Sequence, residues 1–208
     1  MFYIFTMDHN NILGTVLAGG KSQRFGEDKS QVFLKGKLLI NYILDEIIDE
    51  FREMLIVSNS NIKFNDFEKI TLIEDIQKDL GPLGGVLSSM KWIKNNNRDY
   101  QWVSTFPTDT PFFKKEIFQE FVNKIDFEKG KLFFIKSNNT RHNIFGLWSI
   151  DLMDKLEEDL KKGVRKVEDW ADSVGVNIIE MEFDKIDPFF NINTREDLEK
   201  AKKNLLND

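Results

Sequence analysis

The stretch that decides the fold is 15-TVLAGGKSQRFGEDKSQVFLKGKLL-39. A short apolar run enters two glycines, and a lysine, an arginine, a third glycine and an Asp-Lys pair follow. Gly19 and Gly20 let the backbone turn tightly and expose N–H groups toward an anion. Arg24 and Lys29 bring mobile positive charge to phosphate oxygens. The loop has the character of a phosphate cradle, yet it is neither G-x-x-x-x-G-K-[ST] nor G-x-G-x-x-G. Glycines alone would mean only a turn and a solvated charged loop. Strand, Gly-Gly, Arg, Gly and Asp-Lys in this order favour the cradle.

Outward from this loop, strands and helices alternate. Residues 14–18 read as a strand. Residues 38–51 read as a helix, because Ile43, Ile47 and Phe51 recur every four residues with Leu44 and Ile48 beside them. Strands are expected at 54–58, 70–73, 100–106, 132–135, 143–148 and 176–183. Helices are expected at 84–94, 114–125 and 151–162, a shorter one within 164–173, and one at 194–206 with Thr194 as its N-cap. This order predicts an α/β, Rossmann-like domain with a mostly parallel central sheet and helices on both faces. Ligands in such sheets lie at the carboxyl ends of the strands, near a topological switch point. The unusual loops all follow strands, so they should gather on one edge. The 208 residues fit one domain, with residues 1–11 as an extra N-terminal arm to which no function is given.

Composition narrows the classes. A net charge of −6 argues against non-specific nucleic-acid binding. Cysteine is absent, which removes disulfides, thiolate metal sites and a thiol nucleophile, and fits a cytoplasmic protein. No apolar run approaches the roughly 20 residues needed to span a bilayer, so no membrane role is expected.

Three further stretches stand out. In 105-TFPTDTPFF-113, Asp109 lies between Pro107 and Pro111, which stiffen its loop. Mg²⁺ is held through one or two carboxylates plus substrate phosphates, and a fixed Asp opposite a phosphate loop suits that role. Alone, the same Asp reads more simply as an Asx-turn. In 81-GPLGG-85, three glycines and a proline allow close approach of a ligand, or merely punctuate a helix start. In 191-NINTRED-197, Asn191 and Asn193 offer amides to a ligand, or shape the turn into the last helix.

Together these stretches resemble the molybdenum cofactor guanylyltransferase family of nucleotidyltransferases. That family opens with L-A-G-G-x-S-x-R-M-G-x-D-K; this chain has LAGGKSQRFGEDK, with Phe25 where Met is usual. G-P-L-A-G appears as GPLGG, with Gly84 for Ala; the D-T-P loop appears as PTDTP; N-I-N-T-P-E-D-L appears as NINTREDL. The matches run in order from residue 14 to 198.

The resemblance implies transfer of GMP from GTP to molybdopterin, with Mg²⁺ and release of pyrophosphate, giving the guanine dinucleotide form of the molybdenum or tungsten cofactor. It assigns Leu17, Ala18, Gly19 and Gly20 to nucleotide binding through backbone groups. It assigns Arg24 and Lys29 to the triphosphate, Asp109 to Mg²⁺ and GTP, and Asp75 to a nucleotide contact. The family's Asn after the second strand falls in 57-VSNSN-61, where Asn59 is favoured over Asn61. On the pterin side the candidates are His142, Arg165 in 161-KKGVRK-166, Asn191 and Asn193, with Arg141 behind them. His142 serves equally as a structural histidine, and the basic run as complement to a helix C-terminus. Trp148 and Trp170 are expected to pack rather than to stack on pterin. Other cofactor-biosynthesis proteins and apo-molybdoenzymes are further expected partners. The competing readings are a cytidylyltransferase on the same pterin, a sugar-phosphate nucleotidyltransferase, and a cofactor-carrying binding module without catalysis.

Overall fold

The structure, a computed structural model, describes residues 9–19, 32–60, 62–65, 67–77, 79–183 and 186–205. Along the chain lie β1 (Ile12–Leu17), β2 (Phe33–Leu34), β3 (Lys37–Leu38), α1 (Leu39–Ile47), β4 (Met54–Val57) and β5 (Ile70–Ile73). Then come α2 (Pro82–Asn95), β6 (Trp102–Pro107), α3 (Lys115–Lys124), β7 (Leu132–Ser137) and β8 (Thr140–Ser149). The chain continues through α4 (Met153–Lys161), α5 (Val167–Val174), β9 (Asn177–Glu180) and α6 (Arg195–Asn204).

Seven strands form one sheet in the order β5-β4-β1-β6-β8-β7-β9. β1 pairs in parallel with β4 on one side and β6 on the other, and β4 with β5. β8 alone runs against its neighbours β6 and β7, and β9 is again parallel to β7. The expected mostly parallel sheet is therefore present. From β1 the chain steps outward to β4 and β5, then returns across α2 to β6 on the far side of β1. The switch point lies between β1 and β6, where Leu17 is in register with Pro107.

Both sheet faces are covered because β1 alternates. Ile12 and Val16 join the core built with α1 and α3, including Ile43, Ile47, Phe118 and Phe121. Leu13 joins the opposite core with Leu83, Val86, Met90, Leu156 and Trp170 from α2, α4 and α5. A third, smaller core joins Val32 and Leu34 to Leu39, Phe112, Ile192 and Ala201.

Two local features depart from expectation. α1 ends at Ile47 and tightens into a 3-10 turn at Ile48–Glu50, leaving Phe51 extended at φ −126°. Phe51 then lies against Gly14, where an added Cβ would stand 2.8 Å from its ring, so the packing of a ring on β1 stops the helix early. The hairpin β2–β3 was not expected from periodicity. Its turn residues Lys35 (φ 48°) and Gly36 (φ 81°) both take positive φ, as a type I′ hairpin requires. Among the described residues no helix is long and apolar enough to cross a membrane.

Candidate functional site

The register at the switch point brings the motifs to one edge. β1 delivers Leu17, Ala18 and Gly19 beside the carboxyl end of β6, whose last residue Pro107 leads to Asp109. Ala18 N donates to Val57 O at 2.9 Å, tying the start of the glycine loop to β4. Ser58 follows, and its amide bonds Ile73 O at 3.0 Å, so the ends of β1, β4 and β5 are level. Asn59 is exposed just past Ser58. Gly20, Arg24, Lys29 and Asn61 lie outside the described residues.

Asp75 stands two residues beyond β5 and leans onto the first turn of α2. Ser88 Oγ lies 2.8 Å from Asp75 Oδ1. Gly84 makes this approach possible, since a Cβ there would be 3.0 Å from both carboxylate oxygens. Burial pushes the Asp75 carboxyl up from its ordinary range, while the bonds from Ser88 and the amides of Gln77 and Ile76 pull it back. Helix α2 starts at Pro82, a residue whose missing N–H costs nothing at a first helical position.

Asp109 is half-exposed at the same edge. Its carbonyl accepts the Ile192 amide at 2.9 Å, which joins the DTP loop to the NINT segment. Ile192 is fully buried in the third core with Phe112, so the junction is apolar behind and polar in front. Asn191 and Asn193 flank it and are exposed. Thr194 caps α6 as expected: its Oγ1 accepts Asp197 N at 3.1 Å, and Asp197 Oδ2 accepts Thr194 N at 2.9 Å. The segment thus shapes the helix entry, one of the two roles the sequence offered, and also braces Asp109, a role the sequence did not offer. Next to Asp109, Thr110 Oγ1 is buried with no hydrogen-bond partner among the described residues.

The remaining candidates already have partners of their own. His142 stacks on Phe189 with ring centroids 3.9 Å apart, and its Nε2 lies 2.8 Å from Ser137 Oγ. Burial holds its pKa below the ordinary value, against the pull of Asp187. Arg141 bonds Asp172 at 2.6 Å and Asn143 at 2.7 Å. Arg165 Nη1 lies 2.7 Å from the carbonyls of Leu160 and Val164, so it closes the end of α4 in the manner expected of a cation at a helix C-terminus. Trp148 and Trp170 are buried and stacked, and their N–H groups bond Thr105 and Asp159: they pack, as expected.

Ser88 is the residue that the sequence did not single out. Its only signal was a hydroxyl pair, Ser88-Ser89, set in a helix whose other inward residues are apolar. Among the described residues no group of three or more His, Asp or Glu is placed to hold a metal ion.

A family model for MobA-like NTP transferase domains matches residues 14–174. The chain is 31% identical over 206 residues to the molybdenum cofactor guanylyltransferase of Rhizobium rhizogenes, covering 96% of this chain and 94% of that one. It is 30% identical over 201 residues to a probable molybdenum cofactor guanylyltransferase of Bacillus cereus, covering 94% and 98%. Among solved structures, the molybdopterin-guanine dinucleotide biosynthesis protein A of Archaeoglobus fulgidus matches the fold with a TM-score of 0.72 at 21% identity, over 94% of this chain and 100% of that one. With most of its length matched by the family's model, the chain belongs to the MobA-like NTP transferases.

Proposed function

We propose that the protein transfers GMP from GTP to molybdopterin, with release of pyrophosphate, in the cytoplasm. The observation that carries this reading is the meeting of Leu17, Ala18 and Gly19, the GPLGG helix, the DTP loop and the NINT segment along one edge of the sheet, joined by the Leu17–Pro107 register and the Ile192–Asp109 hydrogen bond.

In this reading the backbone of Leu17, Ala18, Gly19 and Gly20 binds the nucleotide, with Asn59 and Asp75 as further contacts. Arg24 and Lys29 are assigned to the triphosphate by their place in the motif. Asp109 fits a Mg²⁺ ion: the ion asks for one or two protein carboxylates, and Asp109 is a single, half-exposed carboxylate at the crevice. When bound, the ion would neutralise charge on the nucleotide phosphates.

The pterin phosphate attacks the α-phosphorus of GTP in line, and pyrophosphate leaves. Two anionic reactants must meet, so the protein's work is positioning and charge neutralisation. A phosphate monoester is largely ionised at neutral pH, so no general base is required. Asn191 and Asn193, exposed on either side of the Asp109 brace, are assigned to the pterin side. His142 and Arg165 are the weaker candidates there, given the bonds that already hold them.

The test is pyrophosphate release by purified protein with GTP, Mg²⁺ and molybdopterin, with CTP in competition. Release dependent on both GTP and pterin is expected. Preference for CTP moves the protein to cytidylyl transfer, and no release with either nucleotide overturns the reading.

A further inference from the structure

We infer that Ser88, on the second turn of α2, is a positioning residue that pins the Asp75 carboxylate in the orientation that meets the nucleotide. The inference rests on the reading of Asp75 as a nucleotide contact.

Asp75 receives little direction from its own strand. β5 is an edge strand, and Glu74 and Ile76 on either side of Asp75 are exposed. The amides of Gln77 and Ile76 reach its carboxylate from the same loop, and the anchor from outside the loop is α2. Ser88 is 3% exposed, and its Oγ accepts the Ile76 amide at 2.9 Å while lying 2.8 Å from both Asp75 Oδ1 and Gly84 O. The hydroxyl has one proton to give. Helix geometry already supplies Gly84 O with the Ser88 amide, so the proton goes to the carboxylate as a charge-assisted bond. One buried hydroxyl thus ties both the backbone and the side chain of the 75–76 segment to the helix. The bare Cα of Gly84 leaves room for the carboxylate beneath. Among the influences on Asp75, the Ser88 bond is the leading one that opposes burial and favours the charged form.

The neighbouring residue provides an internal control. Ser89 is equally buried; its Oγ bonds Gly85 O at 2.9 Å and receives Thr15 Oγ1 at 3.2 Å. Removing either hydroxyl deletes a buried polar bond, so a merely structural role predicts the same outcome for both.

The experiment is GTP calorimetry and steady-state kinetics on the full chain carrying Ser88→Ala, Ser89→Ala, Asp75→Ala, or Ser88→Ala with Asp75→Ala. Ser88→Ala should weaken GTP binding about tenfold and raise KM for GTP with kcat nearly unchanged. Ser89→Ala should stay within about twofold in GTP affinity, while its thermal midpoint falls like that of Ser88→Ala. On the Asp75→Ala background Ser88→Ala should add nothing, because its effect passes through that carboxylate. Ser88→Cys keeps the packing with a weaker donor and should fall between wild type and Ser88→Ala; it carries the test if Ser88→Ala does not fold. Unchanged GTP affinity in Ser88→Ala or Ser88→Cys, with a clear loss in Asp75→Ala, overturns the role of Ser88 alone. A full Ser88→Ala penalty on the Asp75→Ala background also overturns it. Wild-type GTP affinity in Asp75→Ala overturns the nucleotide contact itself, and the inference with it.

Discussion

Substituting Gly84 by alanine puts local propensity against packing at the edge of the site. Alanine is favoured over glycine inside a helix by about 1 kcal/mol, and Gly84 lies in the first turn of α2, where the gain is at most that. Against it, the new methyl would stand 2.6 Å from Leu80 Cβ and 3.0 Å from both Asp75 carboxylate oxygens. Leu80 is buried, and its Cβ is anchored directly to the backbone, so it cannot swing aside as the end of a long side chain would. The turn at 80–81 must shift, and overpacking of this kind costs about 1–3 kcal/mol. The balance is a loss of about 1 kcal/mol, or a fall in thermal midpoint of about 2–4 °C for a chain of this size.

The carboxylate is the more mobile of the two obstacles, so Gly84→Ala should also lift Asp75 away from Ser88 and weaken GTP binding about tenfold. Circular dichroism melts and GTP calorimetry read the two effects separately. The related motif G-P-L-A-G carries alanine at this place, so the methyl is compatible with the fold in general. What is specific here is the seat that Asp75 takes against the bare Cα. A raised midpoint together with GTP affinity within twofold of wild type would refute the reasoning, since propensity alone would then have won.

Asp109→Asn should leave the thermal midpoint near wild type and remove most of the turnover; full turnover at ordinary Mg²⁺ concentration excludes Asp109 as the cation ligand. Lys29→Ala should lower kcat/KM by roughly 10²–10³-fold, the effect of deleting one preorganised electrostatic donor; a value within about twofold removes Lys29 from the triphosphate site. Burial depresses the His142 pKa below 6.5, so the unfolded chain takes up that proton first as pH falls. The His142 contribution to stability is therefore present above pH 6.5 and lost below it, and His142→Gln should flatten that part of the stability–pH curve, as denaturant titrations at several pH values would show.

Much of the fold was legible because its signals are local. The Ile43–Ile47 spacing and the Thr194 cap each act within one or two turns, and the helices they mark are present. The failures arose where distant contacts overruled the local pattern. Phe51 continues the four-residue spacing of α1, yet it leaves the helix because its ring is needed against Gly14 on β1. The β2–β3 hairpin is too short for a period to register, and its Lys35-Gly36 turn was its only mark. At the site, the sequence exposed the residue types but not their meeting. Leu17 opposite Pro107 follows from strand order, which no window of sequence contains. Ser88 was hidden because a serine between Leu87 and Ser89 looks like filler until Asp75 is seen above it.

The small third core explains why motifs so far apart in the chain can act as one site. Val32, where the described chain resumes after the glycine loop, is buried with Phe112 of the DTP loop and Ile192 of the NINT segment. Leu39 N holds Val32 O at 3.0 Å, and Ile192 N holds Asp109 O at 2.9 Å. Lys35 Nζ reaches Leu205 O at 2.6 Å, which joins the hairpin to the end of α6. Val32 after the glycine loop, the DTP loop that carries Asp109 and the NINT segment are therefore fastened to one apolar cluster outside the two main cores. For two anionic substrates that must be brought together in line, a common anchor answers the need: it fixes the distance between groups from different ends of the chain before either substrate arrives.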